Sequence, residues 1–158
     1  MNAAGKSNTV YFAMSWMCAL LMILLVIFYW NQLPETIPTH FNGLGEPDGY
    51  GRKCTLFLLI IIGLGLTGMM QYFHGNKELW QIKAHRQGAN NEQKLTLTRE
   101  MLAQLTLLVA AVFLYIVYGS IQVALENWEG LGTYFLFLFL GLTAGVLVIY
   151  FIRLYRSM

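Results

Sequence analysis

The side chains best suited to chemistry lie in one polar stretch, residues 31–54, which reads NQLPETIPTHFNGLGEPDGYGRKC. Fourteen consecutive residues of it carry an imidazole, three carboxylates and a carboxamide, from Glu35, His40, Asn42, Glu46 and Asp48. Such groups can hold a metal ion or bind a cationic ligand, and they can equally bind a peptide or protein partner. The candidate recognition residues are Pro38, His40, Asn42, Glu46, Asp48 and Gly51.

The spacing of these groups does not match a common metal motif. For calcium, aligning Gly49 with the invariant glycine of a calcium loop puts Leu44 at the first ligand position and Thr55 at the last. For zinc, the stretch offers one histidine, His40, and the sequence has no HExxH motif. We therefore expect neither a metal nor a cofactor.

Proline and glycine dominate the backbone of the stretch. All three prolines of the chain and four of its glycines lie here, which predicts a loop with a defined path and neither a helix nor a sheet strand. Pro47-Asp48-Gly49 predicts a tight turn. A purely structural role also stays open, in which Asn42 and Asp48 bond the loop backbone and His40 pins the loop to a helix end.

Four long apolar runs position this stretch. The 158 residues are 57% hydrophobic and 11% charged, whereas a soluble domain carries about 25% charged residues. About 20 apolar helical residues cross the ~30 Å hydrocarbon core of a bilayer. We therefore predict an all-α membrane protein with one domain over 1–158 and transmembrane helices at 10–30, 55–73, 101–125 and 133–152.

Three connections join the predicted helices. Residues 31–54 form a structured loop between the first and second helices. Residues 74–100 form a polar loop between the second and third, with a short amphipathic piece at 79–83. Residues 126–132 are too few to fold alone, so the last two helices should form an antiparallel pair.

The basic residues predict the orientation. Eight of the ten lie at the N-terminus, in 74–100 or at the C-terminus: Lys6, Lys77, Lys83, Arg86, Lys94, Arg99, Arg153 and Arg156. The other side holds Arg52 and Lys53. Basic residues favour the cytoplasmic side. We therefore expect a multi-pass protein of the cell membrane with both termini in the cytoplasm and residues 31–54 outside.

Two further sets of residues lie within the apolar runs. One helical face of the third run carries the polar side chains Gln104, Tyr115, Tyr118 and Gln122. They serve either hydrogen bonding between helices or a polar cavity for a small ligand. Close helix approach is the predicted use of Gly63, Gly68, Gly141 and Gly145. Two kinds of protein partner stay open: a second copy of this chain in a homo-oligomer, and a larger membrane complex.

The sequence lacks signatures of catalysis and of nucleic-acid binding. It contains no GxSxG, P-loop or dinucleotide-binding motif. The four predicted spans hold no charged residue or histidine, which argues against an ion-coupled transporter. The net charge of +2 and scattered basic residues argue against nucleic acid. We expect that the protein is not an enzyme and that it is embedded in the lipid bilayer.

The segment Leu33–Lys53 resembles a known signature. LPETIPTHFNGLGEPDGYGRK is similar to the motif after the first transmembrane helix in a bacterial membrane domain of unknown function, found at the start of SdpI-like proteins. The similarity covers about 21 residues and the two flanking spans. It implies a multispan bacterial protein tied to immunity against a secreted toxic peptide and to signalling through a sequestered repressor.

Three functions stay open at this point. The first is an SdpI-like protein whose outer loop recognises a secreted peptide or partner. The second is a small accessory or assembly subunit that packs its glycine-rich helix faces against a larger membrane complex. The third is an intramembrane enzyme or small-molecule carrier that uses the polar face of the third helix.

Overall fold

The computed structural model describes residues 3–76 and 91–156, which form four long helices and a two-stranded sheet. The helices are α1 (Ala3–Tyr29), α2 (Thr55–Gly75), α3 (Asn91–Ala124) and α4 (Phe135–Arg156). Each contains a run that is long and apolar enough to cross a membrane, which confirms the predicted four-helix membrane fold. The amphipathic piece predicted at 79–83 lies outside the described residues.

Two helices begin earlier than the predicted spans. α1 begins at Ala3 and α3 at Asn91, ahead of the predicted starts at 10 and 101. The apolar runs marked only the parts that fit the hydrocarbon core, and the preceding residues continue the helix because most of them tolerate it. The candidate span in α3 has 32 residues, about 48 Å of helix. Its first turns therefore extend beyond a bilayer core of about 30 Å.

The third helix is the centre of the bundle. α3 packs against α1, α2 and α4, and the core is formed by fully buried side chains from the first three helices, including Met22, Leu56, Val117 and Ile121. Small buried side chains allow α1 and α3 to approach closely: Ser15, Ala19, Ala103, Thr106 and Ala110. On α4 only Tyr150 is buried, and its remaining apolar surface is available to lipid.

The stretch between α1 and α2 is a β-hairpin, so the prediction that it contains no strand was wrong. β1 (Thr36–Phe41) and β2 (Pro47–Arg52) pair antiparallel, with Ile37 opposite Gly51 and Pro38 opposite Tyr50. In a two-stranded sheet each strand has one free edge, so a proline without an N–H need not break the ladder. The tight turn predicted at 47–49 was also wrong, because those residues lie in β2.

Two ends of the bundle can now be distinguished. The hairpin side contains the end of α1, the hairpin, the start of α2 and the α3–α4 connection, residues 125–134. The terminal side contains the starts of α1 and α3 and the ends of α2 and α4. The hairpin is set over the core by Leu33 and Ile37, which are buried beside Leu56 and Ile121 in one cluster.

Candidate functional site

The hairpin turn is built by one asparagine. The Asn42 side-chain oxygen accepts hydrogen bonds from the N–H groups of Leu44 and Glu46, at 2.9 and 3.0 Å. Its main chain completes the turn, with the Asn42 N–H 2.9 Å from the Glu46 oxygen and the Gly45 N–H 2.9 Å from the Asn42 oxygen. Gly45 has φ +79°, the left-handed conformation that a three-residue hairpin loop needs at its last position.

Two side-chain pairs bridge the strands at the surface. The Asn42 amide donates a hydrogen bond to Glu46 Oε2 at 2.9 Å. His40 Nδ1 contacts Asp48 Oδ1 and forms an ion pair with it when the imidazole is protonated. The His40 and Asp48 side chains are 73% and 44% exposed. Exposed pairs contribute about 0–1 kcal/mol to stability, so this pair does little to hold the fold.

A glycine lets the His40 side chain lie over β2. A Cβ added at Gly49 would come within 3.0 Å of the His40 Cβ. The register is irregular on both sides of His40, and such irregularities re-aim side chains. Asp48 precedes Gly49 on the facing strand, which brings its carboxylate to the imidazole. The structural alternative is met in part, because the Asn42 side chain bonds the loop backbone, whereas His40 contacts Asp48 across the two strands.

The hairpin tip docks onto the α3–α4 connection through backbone contacts. The Leu131 N–H donates to the Gly45 oxygen at 2.7 Å. A Cβ at Gly45 would lie 2.6 Å from the Gly132 oxygen, and one at Gly130 would lie 2.3 Å from the Gly45 oxygen. Neither position can accept a side chain without a shift of the backbone. The contact fixes the tip relative to the helices.

Leu131 anchors the connection to α3 in turn. Its side chain is 3% exposed and lies so close to Gly119 that a Cβ there would come within 2.2 Å of it. The Tyr115 hydroxyl donates to the Leu131 oxygen at 2.7 Å. Hairpin tip, connection and α3 therefore form one continuous packed unit, which a pattern of turn residues alone does not reveal.

A lysine clamps the base of the hairpin. Lys53 Nζ lies 3.1 Å from Glu35 Oε1 and 5.0 Å from the centre of the Trp30 ring, and it donates to the Leu33 oxygen at 3.4 Å. The Lys53 N–H also donates to the Glu35 oxygen at 3.0 Å. These contacts close the two ends of residues 31–54 onto each other.

The six predicted recognition residues do not all reach the surface. His40, Glu46 and Asp48 are exposed, and Asn42 is half-buried in the turn. Pro38 is buried in β1. A Cβ at Gly51 would come within 3.0 Å of the Thr39 methyl group, so Gly51 makes room for a facing side chain. Among the described residues no three histidine, cysteine or acidic side chains are grouped to hold a metal ion.

A cleft of about 460 Å³ lies between the hairpin tip and the α3–α4 connection. Glu46 lines it from the hairpin, and Glu129 and Trp128 line it from the connection. Carboxylates beside an indole ring offer charge and a flat apolar surface to a cationic side chain. Glu129 and Trp128 were not among the predicted recognition residues, because only the docking of the tip brings them next to Glu46.

The polar face of α3 is used for contacts within the chain. The Gln104 side chain donates to the Tyr11 hydroxyl on α1 at 3.2 Å, which is hydrogen bonding between helices. Gln122 is buried and accepts a hydrogen bond from the Asn127 side chain at 2.8 Å. The Tyr118 ring meets the Trp128 ring edge-on at 5.3 Å.

An apolar cavity of about 410 Å³ lies near Tyr115, between α3 and α4. Ala111 and Phe135 also line it, and the Tyr115 and Phe135 rings stack at 4.7 Å. The Tyr115 hydroxyl is already bound to the Leu131 oxygen. The cavity therefore offers a ligand mainly apolar surface, and it supplies no polar pair like those of the hairpin.

The four predicted packing glycines have different surroundings. A Cβ at Gly63 would come within 3.2 Å of both Met22 and Phe113, so Gly63 allows α1, α2 and α3 to meet closely. At Gly68, Gly141 and Gly145 an added Cβ would have no heavy atom of the described residues within 4 Å. Their use in close helix approach stays a prediction that concerns a partner outside this chain.

The chain has four helices that are long and apolar enough to cross a membrane, and a hairpin that docks onto the α3–α4 connection. This architecture is that of a multi-pass membrane protein. Residues 17–64 match a protein family described as a domain of unknown function, DUF1648. The match runs from the middle of α1 through the hairpin into α2 and leaves out α3 and α4.

A segment of this chain is also similar to part of a protein of Archaeoglobus fulgidus described as uncharacterized. The two are 39% identical over 54 residues, which is 34% of this chain and 26% of the other. The similar segment thus spans about a quarter of the relative's length. No solved structure matches this chain.

Proposed function

We propose that this chain is a non-enzymatic bacterial protein of the cell membrane, of the SdpI-like type, whose hairpin recognises a secreted toxic peptide in immunity or signalling. The termini face the cytoplasm and the hairpin faces outside. The observation that carries the proposal is the exposed His40–Asp48 pair on a hairpin that is fixed to the helices at its tip and its base.

The geometry of the hairpin suits recognition. A rigid site binds with a smaller entropic cost than a flexible loop, because little has to be ordered on binding. β1 packs against α3, whereas exposed and half-buried residues alternate along β2, with Asp48, Tyr50 and Arg52 exposed. An extended peptide can pair with the edge of a sheet through its main chain, and neighbouring side chains then provide specificity.

The charges of the described residues support the orientation. Lys94, Arg99, Arg153 and Arg156 lie on the terminal side. On the hairpin side, Lys53 is paired with Glu35, which leaves Arg52 as the exposed basic residue among those described there. Positive charge in loops near span ends favours the cytoplasmic side, so the terminal side is the inner one and the hairpin can meet a secreted peptide.

A growth assay tests the proposal. Sensitive cells expressing the wild type or His40→Ala/Asp48→Ala at equal membrane levels are challenged with secreted bacterial toxic peptides. We expect protection by the wild type and loss of protection by the double variant, which removes the exposed pair at little cost to the fold. The control is Gln32→Ala, an exposed polar residue of the hairpin side outside the hairpin, which should protect as the wild type does.

Two outcomes contradict the proposal. Full protection by the double variant would show that the pair is not the recognition site. No protection by well-expressed wild-type protein would rule out immunity to the peptides used.

The surface of α4 favours a second candidate, an accessory or assembly subunit. Gly141 and Gly145 lie one helical turn apart with open space where their side chains would be, and such spacing lets another helix approach closely. Purification in mild detergent should then recover a larger complex or a second copy of the chain. Gly141→Leu/Gly145→Leu should release that partner, and recovery of the same monomer from both proteins would refute this candidate.

A further inference from the structure

A second polar site lies at the opposite end of the bundle from the hairpin. A cavity of about 740 Å³ opens on the terminal side between the start of α1, the end of α2 and the start of α3. Asn8, His74 and Arg99 line it, one from each helix, together with the aromatic side chains Phe12 and Trp16. Its volume falls in the range of about 300–1,000 Å³ that is usual for small-molecule sites.

Two polar groups of this cavity are buried without a partner. Asn8 is only 8% exposed. Its amide nitrogen lies 3.2 Å from His74 Nε2, but its side-chain oxygen has no hydrogen-bond partner. The Nε of Arg99 is likewise buried and unpaired, and Arg99 forms no ion pair with a carboxylate in the part of the chain that the structure describes. Buried polar groups are nearly always paired, so these two groups, which line one cavity, are free to bind a polar ligand.

The unpaired groups define the chemistry of that ligand. A guanidinium binds phosphate through parallel N–H donors and is suited to it by shape as well as charge. The Asn8 oxygen is an acceptor and requires a hydroxyl or an ammonium group. The other groups of the site are already fixed: the Phe12 ring meets the His74 ring edge-on at 4.7 Å, and the Trp16 indole N–H donates to the Gln71 side chain.

We propose that this cavity binds a phosphate ester that carries a neighbouring hydroxyl or ammonium group. Arg99 holds the phosphate, and the Asn8 side-chain oxygen accepts a hydrogen bond from the neighbouring group. The ester is either a phospholipid headgroup or a soluble phosphate ester. Both share this chemistry, and basic pockets between membrane helices are known places for lipid headgroups. The apolar side chains of Phe12 and Trp16 provide the wall against which acyl chains or a glycerol backbone would lie.

Native mass spectrometry of the purified full chain tests the site. The probes are phosphatidylglycerol, phosphatidylethanolamine, a diacylglycerol with the same chains but no phosphate, and glycerol 3-phosphate as the soluble form. We expect the wild type to retain one phosphate-bearing molecule and to retain the diacylglycerol no more than background. If glycerol 3-phosphate displaces the phospholipid at similar concentrations, the site serves soluble esters. If it does not, the site serves the lipid.

Three variants make the result specific. Arg99→Gln removes a charge-assisted contact and should weaken binding by about tenfold or more. Ala13→Trp fills the open side of the cavity, where Ala13 is exposed, and should block binding without disturbing the core. Arg156→Gln removes the same charge from an exposed position at the end of α4 and should change binding by less than about twofold.

Three outcomes would overturn the proposal. The first is equal weakening in Arg99→Gln and Arg156→Gln, which would indicate only general attraction between charges. The second is retention of the diacylglycerol as strongly as the phospholipids. The third is the absence of binding by wild-type protein to every phosphate-bearing probe. If Arg99→Gln does not fold, as judged by its elution and thermal unfolding, Ala13→Trp decides between the site and no site.

Discussion

The docking of the hairpin tip can be tested by adding one methyl group. Gly45→Ala places a Cβ 2.6 Å from the Gly132 oxygen at a residue with φ +79°. A non-glycine residue in the left-handed conformation costs about 1–2 kcal/mol. The backbone must also shift, which breaks the 2.7 Å hydrogen bond from the Leu131 N–H to the Gly45 oxygen, worth about 0.5–1.5 kcal/mol.

These terms together predict that the docked state loses about 1.5–3.5 kcal/mol. Amide exchange of the Leu131 N–H reports this loss, because exchange requires the tip to detach from the connection. Hydrogen exchange measured by NMR in detergent micelles should therefore accelerate by roughly 10- to 300-fold at this amide. Amides in the middle of α3, such as that of Val117, should keep their protection.

Gly43→Ala is the matched control. It makes the same chemical change two residues away in the same turn, and its Cβ would meet only a Leu136 methyl group at 3.9 Å, an ordinary contact. It should leave the exchange of the Leu131 amide within about threefold of the wild type, because exposed substitutions usually change stability by less than about 0.5 kcal/mol. Equal exchange in the two variants, or unchanged protection in Gly45→Ala, would refute the docking argument.

Three further predictions concern orientation and packing. Cys54 is exposed at the start of α2, so a membrane-impermeant maleimide should label it in intact cells and should not label Cys54→Ser. Labelling only after lysis would contradict the proposed orientation. Gly63→Val overpacks the core against Met22 and Phe113 and should lower the free energy of unfolding by about 1–3 kcal/mol. Gly65→Val is the control, because an added Cβ there would meet nothing within 4 Å. Equal melting temperatures of the two variants would contradict the packing. Gln104→Leu and Tyr11→Phe should each destabilise slightly and should show a coupling near 0.6 kcal/mol in a double-mutant cycle, since their side chains share one hydrogen bond; additive effects would refute that bond.

The four helices could be predicted because each rests on a run of about 20 apolar residues, and the bilayer permits few alternatives for such a run. The ends of the helices were harder to predict than the helices themselves. The residues from Asn91 to Glu100 are polar except for Leu95 and Leu97, so hydropathy placed them in a loop, yet the structure continues α3 through them. The helix there is set by propensity and local packing, which a search for apolar residues does not detect.

The hairpin was missed because its own composition argued against strands. Pro38, Gly49 and Gly51 are unfavourable in a large sheet, but a two-stranded sheet tolerates them, and Gly49 and Gly51 leave room for facing side chains. The Pro47-Asp48-Gly49 sequence was a stronger turn signal than the true turn, which depends on Asn42 bonding to its neighbours and on the positive φ of Gly45.

Only part of the candidate site could be predicted from the sequence. His40, Asp48, Asn42 and Glu46 were chosen for their chemical types, and the structure brings them together as two pairs. The contribution of Leu131 and its neighbours in the α3–α4 connection could not be found, because nearly ninety residues separate them from the hairpin in sequence. Contacts at that separation follow from how the helices pack, and no local pattern encodes them.

Photo-cross-linking tests most directly the claim that the hairpin contacts a secreted peptide. A photoreactive phenylalanine replaces Tyr50, which is 63% exposed on β2, or Tyr155, which is 76% exposed on the terminal side. Cells are then illuminated during challenge with a toxic peptide against which the wild type protects. The proposal predicts a peptide adduct at position 50 and none at position 155. Efficient protection with no adduct at position 50, or with an equal adduct at position 155, would contradict recognition by the hairpin.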